Sequence, residues 1–381
     1  MKICGIIEFF VPHYWGGGEV RFYEILRRLA QQGHEVHLLS MRLKKAPKEQ
    51  LYHGIHIHRI GPVIKKPPLR SFFQFVHFTW SSFFWLAKHK YDVVDVHSFV
   101  PLLAGSLSHV AGFQPNTVAT IHDVTDKDDN SQWIQYGRVA YILERILFAL
   151  PFRRVINCSY DTKKRLSKFY GRNQKKLDVV HLGVDVSRID AIKATKDETP
   201  SVLYVGRLVP HKHVEDLIQA IKQVKKKIPA VQLRIIGTGI EQKNLKQLVR
   251  KLKLQNNTVF YGTLKHYDDV LRIMKQSSVL VLPSMREGFG LVLIEANACR
   301  KPVIAYKTGG VVDIIKEGVN GFLIPPRNIE RLSEAIENVL QDGILANRLG
   351  SQGRGRVERL FNWDIAAKNV LNSYKKGKIR R

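Results

Sequence analysis

Residues 283–302 read PSMREGFGLVLIEANACRKP, and this stretch decides how the rest of the chain is read. The apolar run Ser278-Val279-Leu280-Val281-Leu282 stops at Pro283-Ser284, as a buried parallel strand stops at a turn. Glu287-Gly288-Phe289-Gly290 follows, and Leu291, Val292, Leu293, Ile294, Glu295, Ala296 and Ala298 then suit a helix packed on a sheet. The order is strand, glycine-bearing turn, helix. The two glycines let backbone approach a ligand without a Cβ in the way. The helix start offers unpaired N–H groups and a positive dipole end, which favour an anion such as a phosphate.

Glu287 and Glu295 are eight positions apart, a rise of about 12 Å on a continuous helix at roughly 1.5 Å per residue. Paired glycosidase carboxylates stand roughly 5–9.5 Å apart. This pair is therefore poorly spaced as an acid/base dyad and better spaced to hold two ends of one long ligand. A turn glutamate plus a helix glutamate in an ordinary salt bridge is the other reading that the spacing leaves open.

Two upstream pieces stand in matching order: Gly16-Gly17-Gly18-Glu19 after the first strand, and Val205-Gly206-Arg207-Leu208 with Lys212 five residues beyond the arginine. Cations at a strand–helix turn neutralise a diphosphate, arginine by a hydrogen-bonding fork and lysine as a point charge. Among 61 Lys and Arg residues, a pair of solvated side chains is the alternative. With Glu287-Gly288-Phe289-Gly290-Leu291 through Glu295, these pieces resemble the E-x7-E signature of retaining glycosyltransferases with the GT-B fold, in detail glycosyltransferase family 4. The resemblance covers nearly the whole chain.

The resemblance implies an α/β protein of two facing Rossmann-like domains, with parallel sheets and an interdomain cleft. It implies a nucleoside diphosphate sugar as donor substrate. Arg207 and Lys212 would stabilise the leaving diphosphate, Glu287 would bind sugar hydroxyls and Glu295 the ribose. Gly206 and the amides around Phe289, Gly290 and Leu291 would line the donor. The loop carrying Gly17 and Gly18 would close on the diphosphate and acceptor side, and His122 would contact the donor sugar. No cofactor is expected, and no metal if the two cations do the charge work.

At 381 residues the chain exceeds one ordinary core and suggests two domains. Hydrophobic content of 44% with 25% charged residues is that of a globular, water-compatible protein. Cys4, Cys158 and Cys299 form no metal-ligand spacing or disulfide framework, which points to a reducing, cytoplasmic setting. The start, MKICGIIEFF, is interrupted by Glu8 and reads as a first strand, not a signal peptide. The formal net charge of +28 is spread along the chain, so it is not a basic tail. Such a field attracts nucleic acid, anionic lipid or phosphorylated substrates, with simple solubility as the bland account.

Residues 2–10, 35–40 and 55–60 read as strands, and 20–32 as a helix with Phe22, Ile25, Leu26 and Leu29 on one side. The opening is βαβ but not G-x-G-x-x-G, so no dinucleotide is expected. Arg42, Lys44, Lys45 and Lys48 form a basic patch. Residues 71–87 carry no charge, are rich in aromatics, and are bordered by Lys65, Lys66, Arg70, Lys88 and Lys90. Two readings stay open there: a helix buried on the sheet, or one docked at a membrane interface. His122 ends the strand 117–123, where ligands sit in parallel sheets. Asp126, Asp128 and Asp129 read as a solvated loop, not a metal site. At His181-Leu182-Gly183 the family's usual Pro-Asn is absent, so no ligand role is carried over to that turn.

We expect residues 1–186 to form an acceptor-binding domain, 187–200 a linker, 201–361 a nucleotide-sugar domain, and 362–381 a helix crossing back to the first domain. The expected activity is retaining transfer of a sugar to a hydroxyl acceptor, lipid-linked or a cell-surface glycan precursor. A GT-B epimerase or phosphorylase, or a basic nucleic-acid-binding protein, are the alternatives. The last lacks any recognition module with an aromatic stacking motif, so no nucleic-acid partner is expected. An anionic membrane surface is the expected further partner, with Lys65, Lys66 and Arg70 as docking candidates on the inner face of the cytoplasmic membrane.

Overall fold

A computed structural model describes residues 1–65, 67, 71–97, 99–124, 137–195 and 197–377; side chains in the helix Gly137–Ala149 are described from 142 onward. Lys66, Arg70, Asp126, Asp128 and Asp129 lie outside the described residues. The chain divides into two compact units: Met1–Leu182 joined by the helix Trp363–Gly377, and Gly183–Asn362.

The first unit is built on strands β1 (Lys2–Ile6), β2 (Glu35–Leu43), β3 (Glu49–Tyr52), β4 (Ile55–Ile64), β5 (Val93–His97), β6 (Thr117–Ile121), β7 (Arg154–Asn157) and β8 (Leu177–Val179). Their order is β3-β4-β2-β1-β5-β6-β7-β8, all parallel except the β3–β4 pair. The β5 and β6 strands are buried at every residue, as fits strands covered on both faces. From the central β1 the chain goes to β2 on one side and later to β5 on the other, so the β1/β5 boundary is a topological switch point, where such sheets bind ligands.

The C-terminal helix Trp363–Gly377 completes this unit by packing against the helix Gly17–Gln31. Tyr374 donates to Asp95 Oδ2 at 2.6 Å, Asn116 Nδ2 donates to the Tyr374 carbonyl at 3.3 Å, and Arg28 Nε donates to Asp364 Oδ1 at 2.6 Å.

The second unit holds β9 (Ser201–Val205), β10 (Gln232–Ile236), β11 (Thr258–Gly262), β12 (Val279–Leu282), β13 (Val303–Tyr306) and β14 (Gly321–Ile324). Their order is β11-β10-β9-β12-β13-β14, all parallel. Here β9 is central and the switch point lies between β9 and β12.

Three features are not legible in the sequence. The edge strand β3 follows directly on the basic patch and pairs through a turn at His53-Gly54, both at positive φ, which a charge-rich stretch does not announce. The helix Phe99–Val110 forms where no helical period was read. Residues 187–200, expected as a linker, carry secondary structure and ion pairs of their own. They contain most of the helix Val186–Ala191, and Asp190 forms two hydrogen bonds with Arg354 at 2.7 and 2.8 Å. Arg188 is tied to Asp268 at 2.8 Å and Lys275 Nζ to the Ile192 carbonyl at 2.6 Å, so the polar segment is polar because it docks by ion pairs.

Candidate functional site

In the second unit, the turns after β9, β12 and β13 meet at the carboxyl ends of the strands. Behind the β9 turn, Gly206 N donates to the Ile236 carbonyl at 3.0 Å, and Leu208 N to the Thr238 carbonyl at 2.9 Å. Tyr204 then donates its hydroxyl to the Arg207 carbonyl at 2.9 Å, fixing the backbone from which the exposed Arg207 side chain leaves. A short 3-10 turn, Pro210–Lys212, delivers Lys212, whose Nζ lies 2.6 Å from Glu287 Oε2. Gly309, at φ 49°, packs so closely that a Cβ there would stand 2.1 Å from the Glu287 carbonyl oxygen. Gly310 N donates to that same carbonyl at 2.9 Å. Glu287 is thus held through its backbone from one side and through its carboxylate from the other.

Gly290, at φ 100°, caps the helix Leu291–Ala298 in the left-handed region that glycine tolerates. The Phe289 ring is buried 5.9 Å from Phe361, so its side chain is part of the core of this unit. Glu295 points inside the unit, where Tyr267 donates to its Oε1 at 2.6 Å. Burial pushes the Glu295 carboxyl up, and the hydroxyl bond offsets part of this. The same burial, joined by the Glu295 charge, pushes the Tyr267 hydroxyl up.

Next to Lys212, His213, Glu215 and Asp216 gather as the one His/Cys/Asp/Glu group among the described residues close enough to share a cation. The Arg327 guanidinium already lies there, touching His213 and standing 3.3 Å from Glu215 and 3.5 Å from Asp216. Tyr306 donates to Asp216 Oδ2 at 2.8 Å.

In the first unit, His122 lies directly after β6, and its Nε2 would be 3.5 Å from a Cβ at Gly18. Gly17 has open space around it. Behind this turn is a buried polar set. Asp95 accepts from Tyr374 and, at 2.8 Å, from Thr120, with His97 Nε2 at 3.3 Å. Arg21, fully buried, gives one bond to the Val180 carbonyl at 3.3 Å, while its Nε and Nη1 find no acceptor among the described residues. Burial, then the charges of Arg21 and His97, hold His122 well below the usual histidine range. This burial favours the neutral form of the His122 ring.

Gly206, Arg207, Lys212, Glu287, Phe289, Gly290, Leu291 and Glu295 therefore belong to one unit, and Gly17, Gly18 and His122 to the other. Sequence reading missed Tyr267, Arg21, Asp95 and Tyr374. A signal existed for Arg21 alone: it lies four residues before Ile25, on the apolar side of its helix.

Two parallel-sheet units, each with a switch point lined by glycine turns, define the GT-B class. A family model described as glycosyl transferases group 1 matches residues 185–356, and one described as Glycosyltransferase Family 4 matches residues 15–188. The chain is 30% identical to the glycogen synthase of Mycobacterium tuberculosis over 74% of this chain and 68% of that one. The structure is similar to sucrose-phosphate synthase from Thermosynechococcus elongatus, at TM-score 0.83 and 24% identity, covering 98% of both chains. It is also similar to HepE of Anabaena in complex with UDP-glucose, at TM-score 0.77 and 19% identity, covering 98% of this chain and 99% of that one. The chain belongs to the group 1, family 4 glycosyltransferases, and its enzyme class is glycosyl transfer.

Proposed function

We propose that the enzyme transfers a sugar from a nucleoside diphosphate sugar to the hydroxyl of a lipid-linked acceptor, with retention at the anomeric carbon. The observation that supports the donor half of this reading is the meeting of Lys212 and Glu287 across the β9/β12 switch point, with Arg207 on the same turn as Lys212. Arg207 and Lys212 take the diphosphate, the amides of residues 289–291 add donors, and Glu287 takes sugar hydroxyls. Glu295, braced by Tyr267, takes the ribose. In the first unit, His122 serves as a neutral hydrogen-bonding ring for the sugar, and the Gly17-Gly18 turn serves the diphosphate and acceptor side. HepE supports the donor class by its bound UDP-glucose.

Glu287 is committed to Lys212, which argues against its serving as a nucleophile. In the proposed step the bond from the anomeric carbon to the phosphate oxygen breaks, and the nucleoside diphosphate leaves with the electron pair. The acceptor oxygen bonds to the same face of that carbon, and its proton passes to a phosphate oxygen of the leaving group. Preorganised cations aimed at the developing charge contribute about 3–4 kcal/mol by analogy with other such sites. The leaving group is stabilised without a metal in this scheme.

Incubation of the protein with a labelled nucleotide-sugar panel, with and without a polyprenyl- or diacylglycerol-linked acceptor, tests the proposal. An α-linked product from an α-configured donor, formed only with acceptor, is expected. An isomerised sugar without acceptor, or turnover that requires free phosphate, would replace it by an epimerase or a phosphorylase.

A further inference from the structure

The helix Phe72–Lys88 has its polarity reversed for an element that only covers a sheet. Its buried side includes Thr79 and Ser82 beside Phe78 and Leu86, whereas Phe73 is 82% exposed, Trp80 48% and Phe84 57%. With His77 these three fall at spacings of four, three and four, one stripe along the outer face. Trp80 and Phe84 are in ring contact at 6.0 Å, so this end of the stripe is a joined aromatic patch and not two scattered side chains. The helix Phe99–Val110 packs alongside, and beyond it the helix Gly137–Ala149 exposes Ile142, Leu143 and Ile146. Apolar side chains are thus exposed on two helices of the first unit.

Charge selects the occupant. No Asp or Glu occurs from residue 50 to residue 91, while Lys65, Lys88 and Lys90 are exposed at the two ends of the helix. No helix among the described residues is long and apolar enough to cross a membrane. The helix follows β4, which runs parallel to β2 and through it to β1. Its first residues, Phe72 and Phe73, therefore begin on the rim of the sheet where Gly17, Gly18 and His122 stand.

We propose that this stripe is the surface by which the protein sits on an anionic lipid bilayer, its rings in the interface and its lysines against headgroup phosphates. The proposal rests on the lipid-acceptor reading above and identifies the face that brings the first unit to such an acceptor. A helix lying in the interface needs both parts, apolar insertion and attraction to anionic lipid. Neither part uses a residue assigned to sugar transfer.

Sedimentation with phosphatidylcholine vesicles, with and without about a third phosphatidylglycerol, tests the surface directly. The unaltered protein is expected to bind only the anionic vesicles and to lose at least tenfold in partition between low and high salt. The variant Phe73→Ser/Trp80→Ser/Phe84→Ser, and separately Lys65→Ser/Lys88→Ser/Lys90→Ser, should each lose at least tenfold. In the unaltered protein, brominated lipid should quench tryptophan fluorescence, and most of that quenching should vanish in Trp80→Phe. Equal binding by the aromatic variant, or no binding to anionic vesicles at low salt, overturns the proposal. So does a dimer in solution that the aromatic substitutions dissociate, since the stripe would then belong to a second copy. Transfer to a short-chain, water-soluble acceptor should be unchanged in both variants. Loss of vesicle binding with that transfer intact leaves the transferase reading standing; vesicle binding without any sugar-nucleotide turnover removes only the latter.

Discussion

Lys212 Nζ and Glu287 Oε2 stand 2.6 Å apart, so the side chain assigned to the diphosphate and the one assigned to the sugar are a single ion pair. A bound diphosphate must share the ammonium hydrogens with Glu287. Lys212→Met then does two things: it removes a cation and leaves a carboxylate facing the phosphates. Transfer should fall by at least a thousandfold and affinity for free nucleoside diphosphate by more than tenfold. Adding Glu287→Gln to Lys212→Met should restore part of that affinity without restoring transfer. Titration calorimetry on the four proteins of the cycle measures the coupling, and strictly additive losses would contradict it.

Glu295 gives a pH-dependent test of stability. Its carboxyl is raised by burial above the ordinary glutamate range, so the folded state holds its proton more tightly than the unfolded chain. The resulting stabilisation is complete below the unfolded value and is lost as pH rises through the folded one. Glu295→Gln, which keeps an oxygen for Tyr267, should therefore melt higher than the unaltered protein at pH 7 and equally at pH 4. A gain of ~1 kcal/mol in a unit of this size corresponds to about 2–4 °C. The same variant should weaken nucleoside diphosphate binding, whereas Glu287→Gln should mainly impair transfer. A melting difference that grows towards acid pH would contradict the burial account.

His122 has the opposite sign. Its folded value lies well below 6.5, so the neutral ring favours folding above the unfolded value, and that contribution is lost as pH falls through the folded one. Its ring resonances should titrate well below the range of an ordinary histidine. Arg21→Met should raise the titration of His122 and move the acid limb of the transfer profile to higher pH. Arg21→Lys, which keeps the charge, should leave both near their original positions. The groups around His122 are Arg21 on its helix, Asp95 and His97 on β5, Thr120 on β6, Cys158 after β7, and Tyr374 on the C-terminal helix. A His122 that titrates near 6.5 in the unaltered protein would show that burial and Arg21 do not control it.

Gly309→Ala places a methyl 2.1 Å from the Glu287 carbonyl oxygen at a φ of 49°, so the β12 turn must shift. Transfer should drop by at least a hundredfold while the circular dichroism spectrum stays unchanged. Gly343→Ala, where a Cβ meets nothing within 4 Å, should leave activity and stability unaltered. A fully active Gly309→Ala protein would show that this turn does not set the position of Glu287.

Tyr374→Phe removes a buried hydroxyl from Asp95 and leaves part of the carboxylate unsatisfied. A loss of about 1–3 kcal/mol is expected, read as a lower denaturation midpoint of the first unit. Tyr267→Phe, by contrast, should act on nucleotide affinity through Glu295.

What sequence alone discloses is uneven, and the reasons are physical. The run Val279-Leu280-Val281-Leu282 is apolar because β12 is covered on both faces, so strand, turn and helix could be read there without coordinates. Arg207, Lys212, Glu287 and Glu295 are singled out by resemblance to the family's motifs, because their spacing alone also suits ordinary surface ion pairs. Their partners are not: Tyr267 meets Glu295, and Lys212 meets Glu287, across separations that no local period encodes. The helix at 72–88 was legible as a helix but not in its sidedness. Phenylalanine at 72, 73, 75, 78, 83 and 84 surrounds the axis, so the pattern has no polar face to mark the outside. Residues 187–200 misled because ion-paired docking and solvation select the same polar composition.

The C-terminal helix also governs the order in which a newly made chain can fold. The second unit is one continuous segment, Gly183–Asn362, and can close as soon as it has emerged from the ribosome. The first unit must wait, because Asp95 meets Tyr374 only after everything between them has been synthesised. At about 5–20 residues per second, roughly 10–40 s separate the emergence of Leu182 from that of Tyr374. During that interval the larger part of the first unit exists without its final helix, with the outer face of the helix Gly17–Gln31 still open. A ribosome that stops short of the last turns therefore releases a finished second unit attached to an incomplete first one, which marks this intermediate as the natural target for chaperones and proteases.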